Sequence, residues 1–313
     1  MSVGKLAAVD AATQARIESA CGFVNQKIGA MRSRVLLVAV LSAAAALLVL
    51  IFVRIDVRFP IGAAVLVTFL TAAHARREVS KWYKLLVIRR VVEALGNGLT
   101  YSEASSFTRD QFKAMNLFRD RIDVWKSEDQ IAGRRNEVDY TLHEVRAAKR
   151  EKRGKNTVEV VIFKGLVVVL EFNKNFQGQT VVVPDREGKL LGGLFGELDG
   201  RGGMQRVTLP DADFEAKYTA YSTDDQQANY LLTPRLLQLI MKARNTLDAE
   251  LRLAFFQNNL FVAVPSSADR FEVGWFATRV TPAEAVGDLA DVVNLAEQLI
   301  EVLDLETRIW TRV

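Results

Sequence analysis

The sequence predicts an α+β protein on a membrane anchor. An N-terminal two-helix transmembrane hairpin is followed by a cytosolic domain of mostly antiparallel sheet with flanking helices. Three observations predict this. Val35–Val53 runs nineteen residues without a charge, with Ser42 as its only polar side chain. At about 1.5 Å per residue, such a helix matches the roughly 30 Å of hydrocarbon in a bilayer. A second uncharged run, Phe59–Ala75, follows a connector of five residues, Arg54 to Arg58, too short to be a domain. Downstream, short valine-rich runs alternate with turn residues and with helix-capping signals.

The elements follow in order. Residues 1–34 read as an amphipathic N-terminal helix, because Ile17, Cys21, Val24, Ile28 and Met31 recur at spacings of four and three. Residues 35–77 form the hairpin. On its second span Ala64, Thr68 and Ala72 fall four apart. On the first, Ala39 and Ala43, or Ser42 and Ala46, do the same. Small residues at that spacing let membrane helices approach closely, although alanine is also simply frequent here. His74 reads as an interfacial residue, with no second ionisable group in the spans to relay to. Residues 78–97 continue as a juxtamembrane helix. Trp82 and Tyr83 are amphipathic aromatics of the headgroup type, and Gly96-Asn97-Gly98 is the stop.

Residues 98–313 form the cytosolic domain. Thr108–Phe118 reads as a short helix. Val138, Tyr140 and Leu142 alternate with Asp139 and Thr141 as a half-buried strand. Arg146 to Lys155 reads as a basic turn. Val158–Phe163 and Leu166–Phe172, broken at Lys164-Gly165, and then Gln179–Val183 read as a meander with short turns. Gly188–Gly203 reads as a mobile loop that marks either a subdomain boundary or an insertion. Lys217–Tyr221 is a strand, and Thr223-Asp-Asp-Gln226 a capping box. Thr233-Pro234 starts a helix reaching about Arg244. Asn258-Asn259 is a hairpin turn between Glu250–Phe256 and Leu260–Val264. Thr281-Pro-Ala-Glu284 opens a long helix with the apolar stripe Val286, Leu289, Val293, Ala296, Ile300 and Leu303. Its acidic face holds Asp288, Asp291, Glu297, Glu301 and Asp304.

Charge sets the expected orientation. The net charge is only +4. Yet Lys27, Arg32 and Arg34 precede the hairpin, and Arg76, Arg77, Lys81, Lys84, Arg89 and Arg90 follow it. By the positive-inside rule both termini are cytoplasmic. The single cysteine, Cys21, excludes an internal disulfide and reads as a small buried hydrophobe. A cleaved signal peptide is a poor fit, since the first apolar run starts late and is too long.

The segments Ser127-Glu-Asp-Gln-Ile-Ala-Gly133, Phe163-Lys-Gly165, Phe176-Gln-Gly-Gln-Thr180 and Val183-Pro-Asp185 occur in order. Asp213-Phe214 through Tyr221-Ser-Thr-Asp-Asp225 and Leu231-Leu-Thr-Pro234 follow. Together they resemble the bacterial "domain of unknown function" family numbered three-one-three-seven, over roughly residues 90–270. The resemblance implies two N-terminal membrane helices and a cytosolic domain. It brings no activity, and implies at most a LemA-type membrane protein as partner. The loop Gly188–Gly203 departs from the family pattern.

Catalytic signatures are thin. The two histidines are His74 and His143. His143-Glu144 lacks the second histidine of a zinc helix and reads as structural or surface. Phosphate loop and nucleophile elbow are absent, so no cofactor and no catalytic residue is expected. Asp224-Asp225 and Glu128-Asp129 read as helix N-terminal charges. One feature stands outside the core: Arg146, Lys149, Arg150, Lys152, Arg153 and Lys155 against the single acid Glu151. It reads as a solvated turn, as a contact for anionic lipid headgroups, or, without interleaved aromatics to stack bases, as a nucleic-acid patch. The expected role is binding, as a scaffold or adaptor whose first partner is the lipid bilayer. The alternative is an enzyme acting on a lipid or peptide with acidic residues near Asp224.

Overall fold

The computed structural model describes residues 11–53, 56–96, 98–173, 175–185, 203–209, 211–267, 271–274 and 277–307. Two compact units divide the chain: Met1–Ala94 with Asp269–Gly287, and Leu95–Ala268 with Asp288–Val313. Apart from Gly203, the glycine-rich loop Gly188–Gly203 lies outside the described residues, as does the Arg54 end of the connector.

The first unit is helical. Helix α1, Ala11–Phe52, runs unbroken for 42 residues, about 63 Å at 1.5 Å per residue. The boundary expected between residues 34 and 35 is therefore a change of surroundings, not of backbone. No proline interrupts the segment. Ile17, Ala20, Cys21, Val24 and Ile28 are buried, whereas Leu36, Leu37, Val40, Leu41, Leu47 and Leu48 are exposed. Helix α2, Arg58–Tyr83, returns alongside α1. Its first turn is capped by Asp56, whose Oδ1 accepts from Arg58 N at 2.9 Å. The helix carries on through a π turn, Lys84–Ile88, into α3, Arg89–Leu95. A helix reaching Leu95 was the expectation. The π turn was not, and it buries Lys84, Val87 and Ile88.

A strap from the distant sequence completes this unit. Asn25 grips the backbone of Val280 twice, donating from Nδ2 to its carbonyl at 3.0 Å and accepting its N–H at 2.7 Å. Arg76 donates to Val273 O at 2.9 Å and pairs with Glu272 at 2.9 Å. Thr281 and Glu284 form the expected capping box and open α8, Pro282–Thr307.

The second unit is a nine-stranded antiparallel sheet in the order β1-β2-β3-β4-β9-β8-β5-β7-β6. Its strands are β1 Thr100–Ala104, β2 Val124–Arg135, β3 Val138–Arg153, β4 Asn156–Glu171 and β5 Gln179–Pro184. They continue with β6 Gln205–Val207, β7 Tyr218–Ser222, β8 Arg252–Phe256 and β9 Asn259–Pro265. Short helices α4 Arg109–Ala114, α5 Ala212–Glu215 and α6 Asp225–Leu231, and the longer α7 Pro234–Leu247, connect them. The expected meander is broken: the β8–β9 hairpin inserts between β4 and β5. Its turn is Gln257-Asn258, one residue earlier than expected, since Phe256 pairs with Asn259.

Two further expectations are corrected. Lys164-Gly165 does not break a strand; β4 runs through it. Gly165 has φ +152°, and a Cβ there would stand 2.1 Å from Val264 O, so the missing side chain lets β9 close against β4. The basic stretch is not a turn either. Arg146 to Arg153 lie in β3, and only Gly154 and Lys155 form the bend.

One sheet face is filled by Phe107, Phe112, Met115, Leu117, Val145, Phe163, Val181, Phe261 and their neighbours. The segment around α4 supplies several of these, and Thr108 caps that helix with a capping box closed by Gln111. The C-terminal part of α8 buries Leu289, Val293, Ala296, Ile300 and Leu303. Two of its acids are engaged within the unit. Tyr140 OH donates to Glu297 at 3.1 Å, and Arg135 pairs with Glu301 at 2.7 Å.

Candidate functional site

Among the described residues, three places hold chemistry beyond packing. The first is the apolar belt of the helical hairpin. From Leu36 to Leu70, large apolar side chains stand open on both helices, with Phe52 81 % and Phe59 73 % exposed. Both helices are long and apolar enough to cross a membrane. Where the two meet, Ser42 Oγ lies 3.3 Å from Thr68 Oγ1. Thr68 also donates to Ala64 O at 2.9 Å, and Ser42 to Ala39 O at 3.1 Å. Ala39, Ala64 and Ala72 are half-buried on the facing sides and Ala46 is buried, but Ala43 is exposed and off that side. Of the two spacings read from the first span, the structure uses Ser42 and Ala46.

Below the belt, Phe23 and Trp82 meet edge to face at 5.6 Å, and Lys27 Nζ sits 5.2 Å and 5.8 Å from their centroids. A cation over aromatic faces is held by the ring quadrupoles. Arg76, one of the cations that follow the hairpin, is 15 % exposed and bound into the strap. The Cys21 thiol is pushed up to about 11 by burial and then by Glu18 and Glu284, which makes it inert at neutral pH.

The second place is a polar cluster beneath β1. Strand β2 carries a bulge between Glu128 and Gln130. Asp129, at φ +51°, is the extra residue, and it is fully buried. A bulge turns a side chain out of the alternating pattern, and here it swings the carboxylate inward to accept from Tyr101 OH. Burial, and then this carboxylate, push the Tyr101 phenol well up. Glu128, Asp129 and Glu144 bring carboxylate oxygens within 4.8 Å of one another. Lys126 pairs with Glu128 and offsets part of that repulsion. These three acids are a donor set a hard cation could use. Neither Glu128 nor Asp129 starts a helix, so that expectation is corrected.

Alongside, His143 is buried and stacks on Phe107 at 5.2 Å. Its Nδ1 lies 2.9 Å from Ser105 Oγ and its Nε2 2.8 Å from Thr141 Oγ1. Ser105 Oγ also lies 2.7 Å from Ser127 Oγ and accepts from Phe107 N at 3.2 Å. Burial pulls the imidazole down to about 4, so it is neutral at pH 7. Sequence reasoning missed Tyr101, Ser105, Ser127 and Thr141. The only local signal was an aspartate inside a strand, a residue that tolerates left-handed backbone.

The third place is the basic stretch on β3. Arg146 pairs with Glu159 at 3.0 Å, Lys149 with Asp120 at 2.8 Å and Glu151 at 2.9 Å. Arg150 lies 3.8 Å from Glu159, and Arg153 3.8 Å from Glu151. Lys152 and Lys155 are exposed. Asp224, the other acidic candidate, is an N-cap: its carboxylate accepts from Gln227 N at 3.0 Å. The expected cap, Thr223, instead accepts at its Oγ1 from Gln179 N at 2.8 Å.

Residues 161–305 match the family described as "Protein of unknown function (DUF3137)". That stretch is a DUF3137 domain. It begins inside β4 and ends within α8, so it starts later and reaches further than the resemblance over roughly residues 90–270 implied. The segment Ser127–Gly133 and the polar cluster of β1–β3 lie before it. A solved structure, the mycobacterial trehalose monomycolate transport factor A, TtfA, is similar at 12 % identity and a TM-score of 0.38. That similarity covers 69 % of this chain and 93 % of that one. No curated protein matches.

Proposed function

We propose that the protein is a membrane-anchored binding protein, a scaffold or adaptor at the inner face of a bacterial membrane. It crosses the bilayer twice with both termini cytoplasmic. The exposed apolar belt from Leu36 to Leu70 carries this reading. A soluble chain rarely leaves a contiguous apolar patch above a few hundred Å² in water, and lipid tails remove that penalty. The cations of Arg32, Arg34, Arg77 and Lys81 at the open end of the hairpin support the orientation. The DUF3137 domain is then the part that binds. A LemA-type membrane protein is the partner class that the sequence resemblance offers.

The enzyme reading moves from Asp224, which is spent on capping, to the Ser105–His143 contact. A serine activated by a neutral imidazole is a nucleophile arrangement. It would show as covalent labelling of Ser105 by a fluorophosphonate, lost in Ser105→Ala.

Alkaline carbonate extraction tests the anchor. The full chain is expected to stay with the membrane pellet after the wash. Release into the supernatant contradicts bilayer spans and returns the belt to a protein–protein contact.

A further inference from the structure

The six cations of the basic stretch do not form one patch; the strand register sorts them. Beyond Asp123, whose N–H donates to Ala148 O, and Ser266, whose N–H donates to Lys164 O, the ends of β3 and β4 pair with each other. This makes a two-stranded ribbon with two faces. Lys149, Glu151 and Arg153 share one face with their partners Val160, Val158 and Asn156. Ala148, Arg150 and Lys152 share the other with Val161, Glu159 and Thr157. The ion pairs agree with this division, since Glu151 serves Lys149 and Arg153 while Glu159 serves Arg146 and Arg150.

The faces differ in charge. On the first, two cations meet Glu151 and the nearby Asp120, and the sum is neutral. On the second, Arg146, Arg150 and Lys152 meet Glu159 alone, leaving an excess of two positive charges. Asp123, which accepts from Arg150 N at 2.9 Å, is itself paired with Arg121 at 2.8 Å. Lys155 adds a third positive charge at the bend. Val161 is 51 % exposed on this same face, an apolar side chain beside the cations.

We propose that the Arg150–Lys152–Val161 face of the ribbon docks onto an anionic phospholipid surface. The inference rests on the membrane-anchored reading. Charge complementarity selects the occupant: exposed cations with one open aliphatic side chain suit headgroups over hydrocarbon. The absence of an aromatic side chain on this face disfavours stacking with bases. The opposite face, neutralised by its own acids, does not take part.

The experiment uses the full chain in a Cys21→Ser background, reconstituted into vesicles. An environment-sensitive fluorophore is placed at Val161→Cys or, as control, at Val158→Cys on the other face. With phosphatidylglycerol in the vesicles the Val161 probe should shift to the blue, and the Val158 probe should not. Neutral phosphatidylcholine or high salt should abolish the shift. Lys152→Gln with Lys155→Gln should weaken docking about thirty-fold, at about five-fold per cation. Both lysines are exposed, so the melting temperature should hold. Equal response at both faces, no response on anionic vesicles, or a response to duplex DNA on neutral vesicles would overturn the proposal. Resistance of the reconstituted chain to carbonate reports the anchor separately, so failure of docking and failure of anchoring are distinguishable.

Discussion

Gly165→Ala should cost far more than its single methyl suggests. The residue sits at φ +152°, a region that side chains other than glycine's avoid. A Cβ there would meet Val264 O at 2.1 Å, Ser266 N at 2.8 Å and Pro265 Cα at 2.9 Å. All three are backbone atoms of β9 or the residue after it, so no flexible side chain can swing away. Backbone strain costs about 1–3 kcal/mol, and forcing β9 aside costs a further 1–3 kcal/mol or so. The expected loss is therefore about 2–6 kcal/mol, much of the stability of an ordinary domain. Gly154→Ala is the control. It has φ +62° with nothing within 4 Å, so only the left-handed penalty of about 1 kcal/mol applies. The assay is denaturant unfolding of the detergent-solubilised full chain, followed by tryptophan fluorescence, because Trp125 packs 5.2 Å from Phe112 in the core. Equal, small losses for the two variants would refute the claim that β9 presses on Gly165.

Two other outcomes follow from buried polar contacts. His143 has a folded-state pKa of about 4 against 6.5 for the free side chain, through burial. Its contribution is complete above pH 6.5 and is lost as pH falls toward 4, by about 3 kcal/mol. The unfolding free energy of wild type minus that of His143→Gln should therefore fall over that window. A pH-independent difference would mean the imidazole titrates normally in the fold. Asn25→Ala strips both hydrogen bonds from the Val280 backbone and should cost about 2 kcal/mol, read as a lower melting temperature in detergent. An unchanged melting temperature would show the strap to be held elsewhere.

What the sequence revealed and hid follows from the range of the forces involved. The apolar belt was legible because the solvent requirement of Val35–Val53 is carried by those residues alone. The caps at Thr233 and Thr281 were legible for the same reason, being closed within three residues. Thr223 failed as a cap because a distant strand takes its hydroxyl: Gln179 N donates to it, and a Cβ on Gly178 would stand 2.2 Å from it. Lys164-Gly165 looked like a turn because glycine usually marks one. Its cause is the approach of β9, about 100 residues on in the chain. The basic stretch hid its strand because cations lie on both faces of a ribbon, so no alternation of polar and apolar survives in it. The bulge at Asp129 leaves no periodic mark, and with it the cluster of Tyr101, Ser105, Ser127 and His143 stayed out of view.

The claim on which the rest depends is that the hairpin crosses a bilayer with both termini on one side. Asp56, in the connector, precedes the first turn of α2. In a Cys21→Ser background, Asp56→Cys should react with a membrane-impermeant maleimide added to intact spheroplasts. A cysteine in place of Ser102, exposed on the edge strand β1, should react only after the membrane is broken. Labelling of Ser102→Cys in intact spheroplasts, or protection of Asp56→Cys until lysis, would contradict the account.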